Sequence, residues 1–196
     1  KFLVERMAFL DSYVANGTNL EKIAVLCLAE GVVLFSSFAF LMSFRANGFN
    51  LLPNVGNVIK FSSKDEDIHC RASTWLFNTL RKEMLDLNIS DNDIENKIYE
   101  MAEIIREHEF KIIESIFSRG EIPTIKKEDL ENFILSRIDV CMVRMGLKAI
   151  HNVKNCKVSN WFDKILGNTQ NNDFFAGQGA SYSRGFKQDE FKWVKK

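Results

Sequence analysis

The sequence predicts an all-helical bundle, because two features of its 196 residues favour helices and none favours a sheet. Only two prolines, Pro53 and Pro123, interrupt the chain. Elsewhere apolar residues recur at spacings of three and four over long windows, as they do along one face of an α-helix. No alternation of apolar and polar residues extends far enough to indicate a strand. With 46% hydrophobic residues, the chain can bury one substantial core or supply half of a larger one.

The ends of the helices follow from capping residues, glycines and prolines. A first short helix should end at Asn16-Gly17, and Thr18 with Glu21 forms a capping box that opens the second helix. Pro53 or Asn54 opens the third. The five helices predicted in this way run to about residue 16, and then over about 18–48, 53–86, 91–120 and 127–145.

The composition changes after the fifth helix. Residues 168–185 are rich in Asn, Gln, Gly and Ser and hold few aliphatic side chains that could be buried. We therefore expect residues 1–167 to form a helical bundle portion that ends in a helical cap. We expect residues 168–196 to form a flexible C-terminal tail.

Charge and cysteine content argue against several classes of function. Lys and Arg balance Asp and Glu at 26 each, so no basic field exists to attract nucleic acid. The four cysteines are scattered without a C-x-x-C pair, which favours reduced thiols in a cytoplasmic protein. The first residues combine helical periodicity with charges of both signs, unlike a secretory signal. The chain does not begin with Met, so we expect a trimmed, partial or split protein.

The second predicted helix is apolar from Ile23 to Ser43, with Glu30 as its only charge. This is the length of a membrane span, and a transmembrane helix is one interpretation. Its serines, its central glutamate and the amphipathic helices on either side favour the surrounded, central helix of a soluble bundle. A carboxylate in such a helix is costly to bury unless a hydroxyl, a water or a metal ion compensates it.

The third helix carries Glu66-Asp67-Ile68-His69, a single E-x-x-H. Side chains at i and i+3 can reach one metal ion, although a surface ion pair has the same spacing. The pair is expected to point into a core, because its face continues through small and apolar residues, namely Ile59, Ser62, Ser63, Cys70 and Ser73. Ferritin-like di-metal carboxylate proteins take single carboxylates from two helices and E-x-x-H from two others. This chain offers one of each kind, which is half of such a site.

Five segments, in order, resemble the small, radical-generating subunit of class I ribonucleotide reductase, over its C-terminal half. LAEGVVLFSSFAF is similar to the family's helix with a metal-binding Glu followed by an aromatic wall. KFSSKDEDIHC is similar to its R-D-E-x-x-H motif, with Lys64 in place of the usual Arg. The others are IREHEFKIIESIF, the run from Ile138 to Leu147, and NNDFFAGQGASYSRG. The resemblance implies a ferritin-like fold and a di-iron or manganese-containing centre that generates and stores a radical oxidant.

The resemblance also assigns roles to individual residues. It makes Glu30, Glu66 and His69 metal ligands. It makes Asp65 the carboxylate of the radical-transfer chain that lies beside a ligand His, and Tyr182 the tail tyrosine that relays the radical.

Three further residues, Leu34, Phe38 and Ser62, should by the same resemblance wall the pocket that holds the radical. Ser62 stands where the family often has an aliphatic residue, so the polarity of this pocket differs. The family's radical tyrosine, its other E-x-x-H and its first Asp ligand precede the region that this chain matches.

The implied partners are a large catalytic subunit that reduces ribonucleotides and a polypeptide or segment that supplies the N-terminal half of the bundle. A dimer of small subunits is also implied, and neither nucleic acid nor a membrane is expected. Two alternatives remain, namely a ferritin-like di-metal oxidase or oxygenase and a non-catalytic helical partner subunit. The tail with Tyr182 argues against a stand-alone oxidase, which needs no segment for docking and relay.

Overall fold

A computed structural model describes residues 1–46, 48–91 and 93–167 and confirms the all-helical fold. No strand occurs among these residues. They form α1 (Phe2–Asn16), α2 (Asn19–Leu28), α3 (Leu34–Ser43), α4 (Pro53–Asp86), α5 (Ile94–Phe117), α6 (Lys127–Arg144) and α7 (Lys157–Gly167). One π-helical turn, Ala29–Val33, joins α2 to α3 in a continuous helix. The predicted boundaries agree with the observed ones to within a few residues. The tail expected over residues 168–196 lies outside the described residues.

The capping box at the start of α2 forms as predicted. The Thr18 hydroxyl accepts a hydrogen bond from the Glu21 amide at 3.3 Å, and the Glu21 carboxylate accepts one from the Thr18 amide at 2.6 Å. Lys97 of α5 lies 2.7 Å from the same carboxylate and, with these hydrogen bonds, lowers the pKa of Glu21. The cap therefore also fixes α2 against α5.

The core lies between the α2–α3 helix and the later helices α4, α5, α6 and α7. Its centre is aromatic: the ring of Phe162 from α7 lies 5.5 Å from that of Phe35 and 5.3 Å from that of Phe133. All three side chains are fully buried. A second tie joins α1 to α5, where Arg6 forms a 2.6 Å ion pair with the buried Glu109.

The continuous helix Asn19–Ser43 is long and apolar enough to cross a membrane, as its sequence indicates. However, 61% of its most apolar window is buried inside the protein, against the helices around it. This burial is typical of the core helix of a soluble protein, and the segment is weak evidence for a membrane span.

One side of the α2–α4 helix pair is apolar and uncovered, and we call this surface the open flank. On the α2–α3 helix, Leu26 and Leu34 lie about one turn to either side of Glu30 and are 48% and 36% exposed. Between Pro53 and Leu76 of α4 the exposed apolar side chains are Val55, Val58, Phe61, Ile68, Trp75 and Leu76. So many large apolar groups on one surface usually mark an interaction site.

Candidate metal centre

Glu30 lies within the π-helical turn that joins α2 to α3. Such turns are rare, and they occur frequently at functional sites. The sequence predicted an unbroken α-helix here and gave no sign of the turn. The extra residue in the turn changes the direction in which the side chains before and after it project, and it leaves the Glu30 carboxylate facing α4.

The structure brings the three predicted ligands close together. The Nδ1 atom of His69 lies 3.0 Å from Oε2 of Glu66 and 4.0 Å from Oε1 of Glu30. One donor atom from each residue falls within 4.8 Å of the other two. The hydroxyl of Ser73, one turn after His69, donates a hydrogen bond of 3.2 Å to the second oxygen of Glu30. Two carboxylates and an imidazole therefore face a common point between α2 and α4.

The electrostatics of this group favour a cation. Desolvation raises the pKa of Glu30, and the nearby charge of Glu66 adds to the effect, while the hydrogen bond from Ser73 and the charge of His69 oppose it. The hydrogen bond to Glu66 raises the pKa of His69. A metal ion would relieve the repulsion between the carboxylates and take the oxygen and nitrogen donors that iron and manganese accept. The residues present therefore fit one half of a di-metal carboxylate site.

The ligand group opens onto the open flank. The side chain of His69 is 57% exposed, that of Glu66 23% and that of Glu30 16%. The expectation that the E-x-x-H points into the core of this chain is therefore wrong. The small residues that suggested it, Ser63, Cys70 and Ser73, do face the core, but they lie on the part of α4 beside the ligands.

The other predicted site residues are distributed around the ligands. Leu34 is exposed on the open flank, whereas Phe38 is buried with its ring 6.0 Å from that of Phe35. Ser62 is partly buried one turn before Glu66. Asp65 is exposed one helical turn before His69, and its charge contributes, after that of Glu66 and Glu30, to raising the pKa of His69. Tyr182 lies outside the described residues.

Asp67 is the residue whose place the sequence did not indicate. The sequence predicts that Asp67 is one of three consecutive acidic residues exposed to solvent, yet it is only 8% exposed. Arg71 pairs with it at 2.7 Å, and Arg144 of α6 pairs with it at 3.1 Å. The i, i+4 spacing of Asp67 and Arg71 was a visible signal, but the contact across 77 positions to Arg144 was not. This network fixes α4, and so the ligands on it, against α6.

The model of the family "Ribonucleotide reductase, small chain" matches residues 1–158. The chain belongs to this family. A protein of Invertebrate iridescent virus 3 named "Probable ribonucleoside-diphosphate reductase small subunit" is 27% identical over 184 residues, covering 90% of this chain and 47% of that protein. The ribonucleoside-diphosphate reductase small subunit of Saimiriine herpesvirus 2 is 24% identical, with 92% of this chain and 56% of that protein covered. The chain thus spans about half the length of the curated relatives that it matches.

Solved structures of the ribonucleotide reductase family share the fold. The dimanganese(II)-NrdF of Streptococcus sanguinis matches with a TM-score of 0.68 at 20% identity, over 84% of this chain and 56% of that one. At this identity the likeness establishes the ferritin-like helical bundle.

Proposed function

We propose that this chain is the C-terminal half of the small subunit of a class I ribonucleoside-diphosphate reductase. In this proposal it supplies half of a di-metal centre whose stored oxidant passes to a large catalytic subunit for the reduction of ribonucleotides. The observation that carries the proposal is the convergence of Glu30, Glu66 and His69 within the region that matches the family.

Glu30, Glu66 and His69 would hold the metal, which is iron or manganese. Bound there, a metal pair supplies the activation of oxygen or of a reduced oxygen species and the storage of a one-electron oxidant. The dimanganese centre named for the Streptococcus sanguinis relative supports manganese as one of the two choices.

The other residues of the site would orient the metal ligands and exclude water from the radical pocket. The hydroxyl of Ser73 fixes one oxygen of Glu30 and leaves the other free for a metal. Leu34 and Phe38 continue the same helix beyond Glu30 and form, with Ser62, the wall of the radical pocket. In this proposal Asp65 would orient an imidazole of the site, as carboxylates do beside ligand histidines.

The rest of the bundle has to come from another segment or polypeptide. A complete site of this type needs two E-x-x-H motifs and two single carboxylates, and this chain holds one of each. The ligands also open onto the apolar open flank, which a soluble protein rarely leaves uncovered. One covering element with an E-x-x-H and an acidic ligand would meet both needs. We place the assembly in the cytoplasm, as a dimer of small subunits.

The test is the reductase activity of the assembled protein with its large subunit, comparing wild type with Tyr182→Phe. Because phenylalanine cannot lose a proton and an electron as a phenol does, the variant should keep its metal and its stored oxidant but form no deoxyribonucleotide. Wild-type turnover by the variant would remove Tyr182 from the relay. A wild-type protein that consumes oxygen without any dependence on a large subunit would indicate the stand-alone oxidase instead. A wild-type assembly without metal would indicate a non-catalytic partner.

A further inference from the structure

A second group of ligand-type side chains lies behind the π-helical turn, on the inner side of the α2–α4 pair. Cys27 of α2, Cys70 of α4 and Cys141 of α6 are fully buried, and their sulfurs lie within 4.8 Å of one another. The sulfurs of Cys27 and Cys70 are 3.8 Å apart. Three thiols from three helices therefore converge on one point. We call this group the thiol cluster.

The backbone of the π-helical turn is shaped around these sulfurs. A Cβ atom at Gly31 would lie 2.4 Å from the sulfur of Cys141 and 2.7 Å from that of Cys70, so no other residue fits without displacing them. Both thiols also point at the carbonyl oxygen of Cys27, at 3.7 Å from Cys70 and 3.9 Å from Cys141. The backbone at Gly31 and the carbonyl oxygen of Cys27 thus hold the sulfurs in close contact.

Two arginines place positive charge beside the thiol cluster. Nη1 of Arg144 lies 3.6 Å from the sulfur of Cys70. Arg137 is 4% exposed and donates through Nε to the carbonyl of Gly31 at 2.9 Å. Its Nη2 has no hydrogen-bond partner among the residues that the structure describes, and its guanidinium stacks on the ring of Phe35 at 4.0 Å. A negative charge in the neighbouring cluster would stabilise this buried cation beyond what the Phe35 ring provides.

We propose that Cys27, Cys70 and Cys141 bind a single Cu(I) ion as a three-coordinate thiolate complex. Thiolates select soft ions such as Cu(I), whereas structural zinc normally takes four ligands. No fourth His, Cys, Asp or Glu joins the cluster within the described part of the chain. Three sulfurs about 2.3 Å from a central ion lie about 4 Å apart, close to the spacing already present between Cys27 and Cys70.

The binding step balances without a change in oxidation state. Three S–Cu bonds form, each thiol releases its proton to water, and the copper enters and remains as Cu(I). The complex carries a net charge of minus two, opposite in sign to Arg137 and to Arg144, the second of which also pairs with Asp67. A surface cavity of about 350 Å³ is lined by both arginines, although by none of the three cysteines.

The thiol cluster is separate from the candidate di-metal centre in position and in chemistry. Cys27 precedes Glu30 by less than one turn and Cys70 directly follows His69, but the thiols face the core while the ligands face the open flank. Oxygen and nitrogen donors on one side select harder ions, and sulfur donors on the other select softer ones.

The test is a titration of the purified protein, in the assembly in which it is isolated, with Cu(I) under anaerobic conditions. A chromophoric Cu(I) chelator competes for the ion and reports the affinity. The variants are Cys27→Ala, Cys70→Ala and Cys141→Ala, and the control is Cys156→Ala, because Cys156 is also buried but lies outside the thiol cluster. Wild type and the control should bind one equivalent, and each cluster variant should bind more than about 100-fold more weakly.

X-ray absorption of the copper-loaded wild type keeps the test independent of how the variants fold. It should show sulfur neighbours at about 2.3 Å. Nitrogen or oxygen neighbours, unchanged affinity in the cluster variants, or an equal loss in Cys156→Ala would overturn the proposal. A disulfide between Cys27 and Cys70 in the native protein, detected by mass spectrometry without reduction, would overturn it too.

Discussion

The two sides of the α2–α3 helix differ in how fully other helices of the chain cover them. The inner side is covered, because Phe35 is fully buried against helices of the same chain. Its outer side carries Glu30 between two exposed leucines, and the imidazole across from it faces solvent. The chain therefore contains its own folding core, whereas its chemistry depends on a surface that this core leaves open.

The largest expected effect tests this difference through stability. Phe133→Ala on the inner side should lower the free energy of unfolding by about 3–5 kcal/mol, because it leaves a cavity in a fully buried aromatic cluster. Leu26→Ala on the open flank should cost less than about 0.5 kcal/mol in the chain by itself, because the leucine is 48% exposed. Urea unfolding of both variants measures the two values. Equal losses would mean that the open flank is already packed in the isolated chain.

A smaller effect is expected at the ion pair that holds α1 on the inner side. Arg6→Ala leaves the carboxylate of Glu109 buried without its partner, which should cost about 3 kcal/mol near neutral pH. Desolvation already raises the pKa of Glu109 above 4.5, and Arg6 opposes this. The folded variant then binds more protons than the unfolded chain, so its stability falls as pH rises above 4.5.

Chemical unfolding of the Arg6→Ala variant at several pH values above 4.5 measures how much its free energy of unfolding is lowered. It also measures how this loss changes with pH. Lys82→Ala is the control, because Lys82 and Asp86 form an exposed pair that contributes little to stability. A loss for Arg6→Ala that stays constant with pH would show that Glu109 is not the group left unpaired.

The smallest effect on stability is expected at Glu30. The change Glu30→Gln should stabilise the protein, whereas the changes above should destabilise it. The folded pKa of Glu30 is raised above 4.5, chiefly by desolvation, so its contribution to stability is present below 4.5 and is lost as pH rises through the folded pKa. Glu30→Gln removes this cost and should slightly raise the melting temperature of the metal-free protein at neutral pH. The same change should weaken metal binding. A lower melting temperature in the metal-free variant would show that the carboxylate stabilises the fold.

Most of the fold could be predicted from local signals. The capping box at Thr18, the proline at position 53 and the three- and four-residue periodicity gave the helices and most of their ends. The ligand set could be proposed because a lone glutamate in an apolar helix is followed by an E-x-x-H on the next helix, as in half of a ferritin-like site.

What could not be predicted depends on contacts between distant segments. The π-helical turn is packed at Gly31 against sulfurs from α4 and α6, and nothing in its local sequence indicates it. The burial of Asp67 requires Arg144 from α6. The exposure of His69 could not be predicted either, because an apolar pattern marks a face to be covered without saying which segment covers it.

The most direct test of the account is the metal content of the purified assembly, measured by mass spectrometry for wild type, Glu66→Ala, His69→Ala and the control Glu83→Ala. Glu83 is an exposed glutamate on the same helix, outside the ligand group. The account predicts a metal pair per complete bundle in wild type and in the control. It predicts loss of the pair in the other two variants, each of which lacks one ligand. Full metal occupancy in Glu66→Ala or His69→Ala would contradict it.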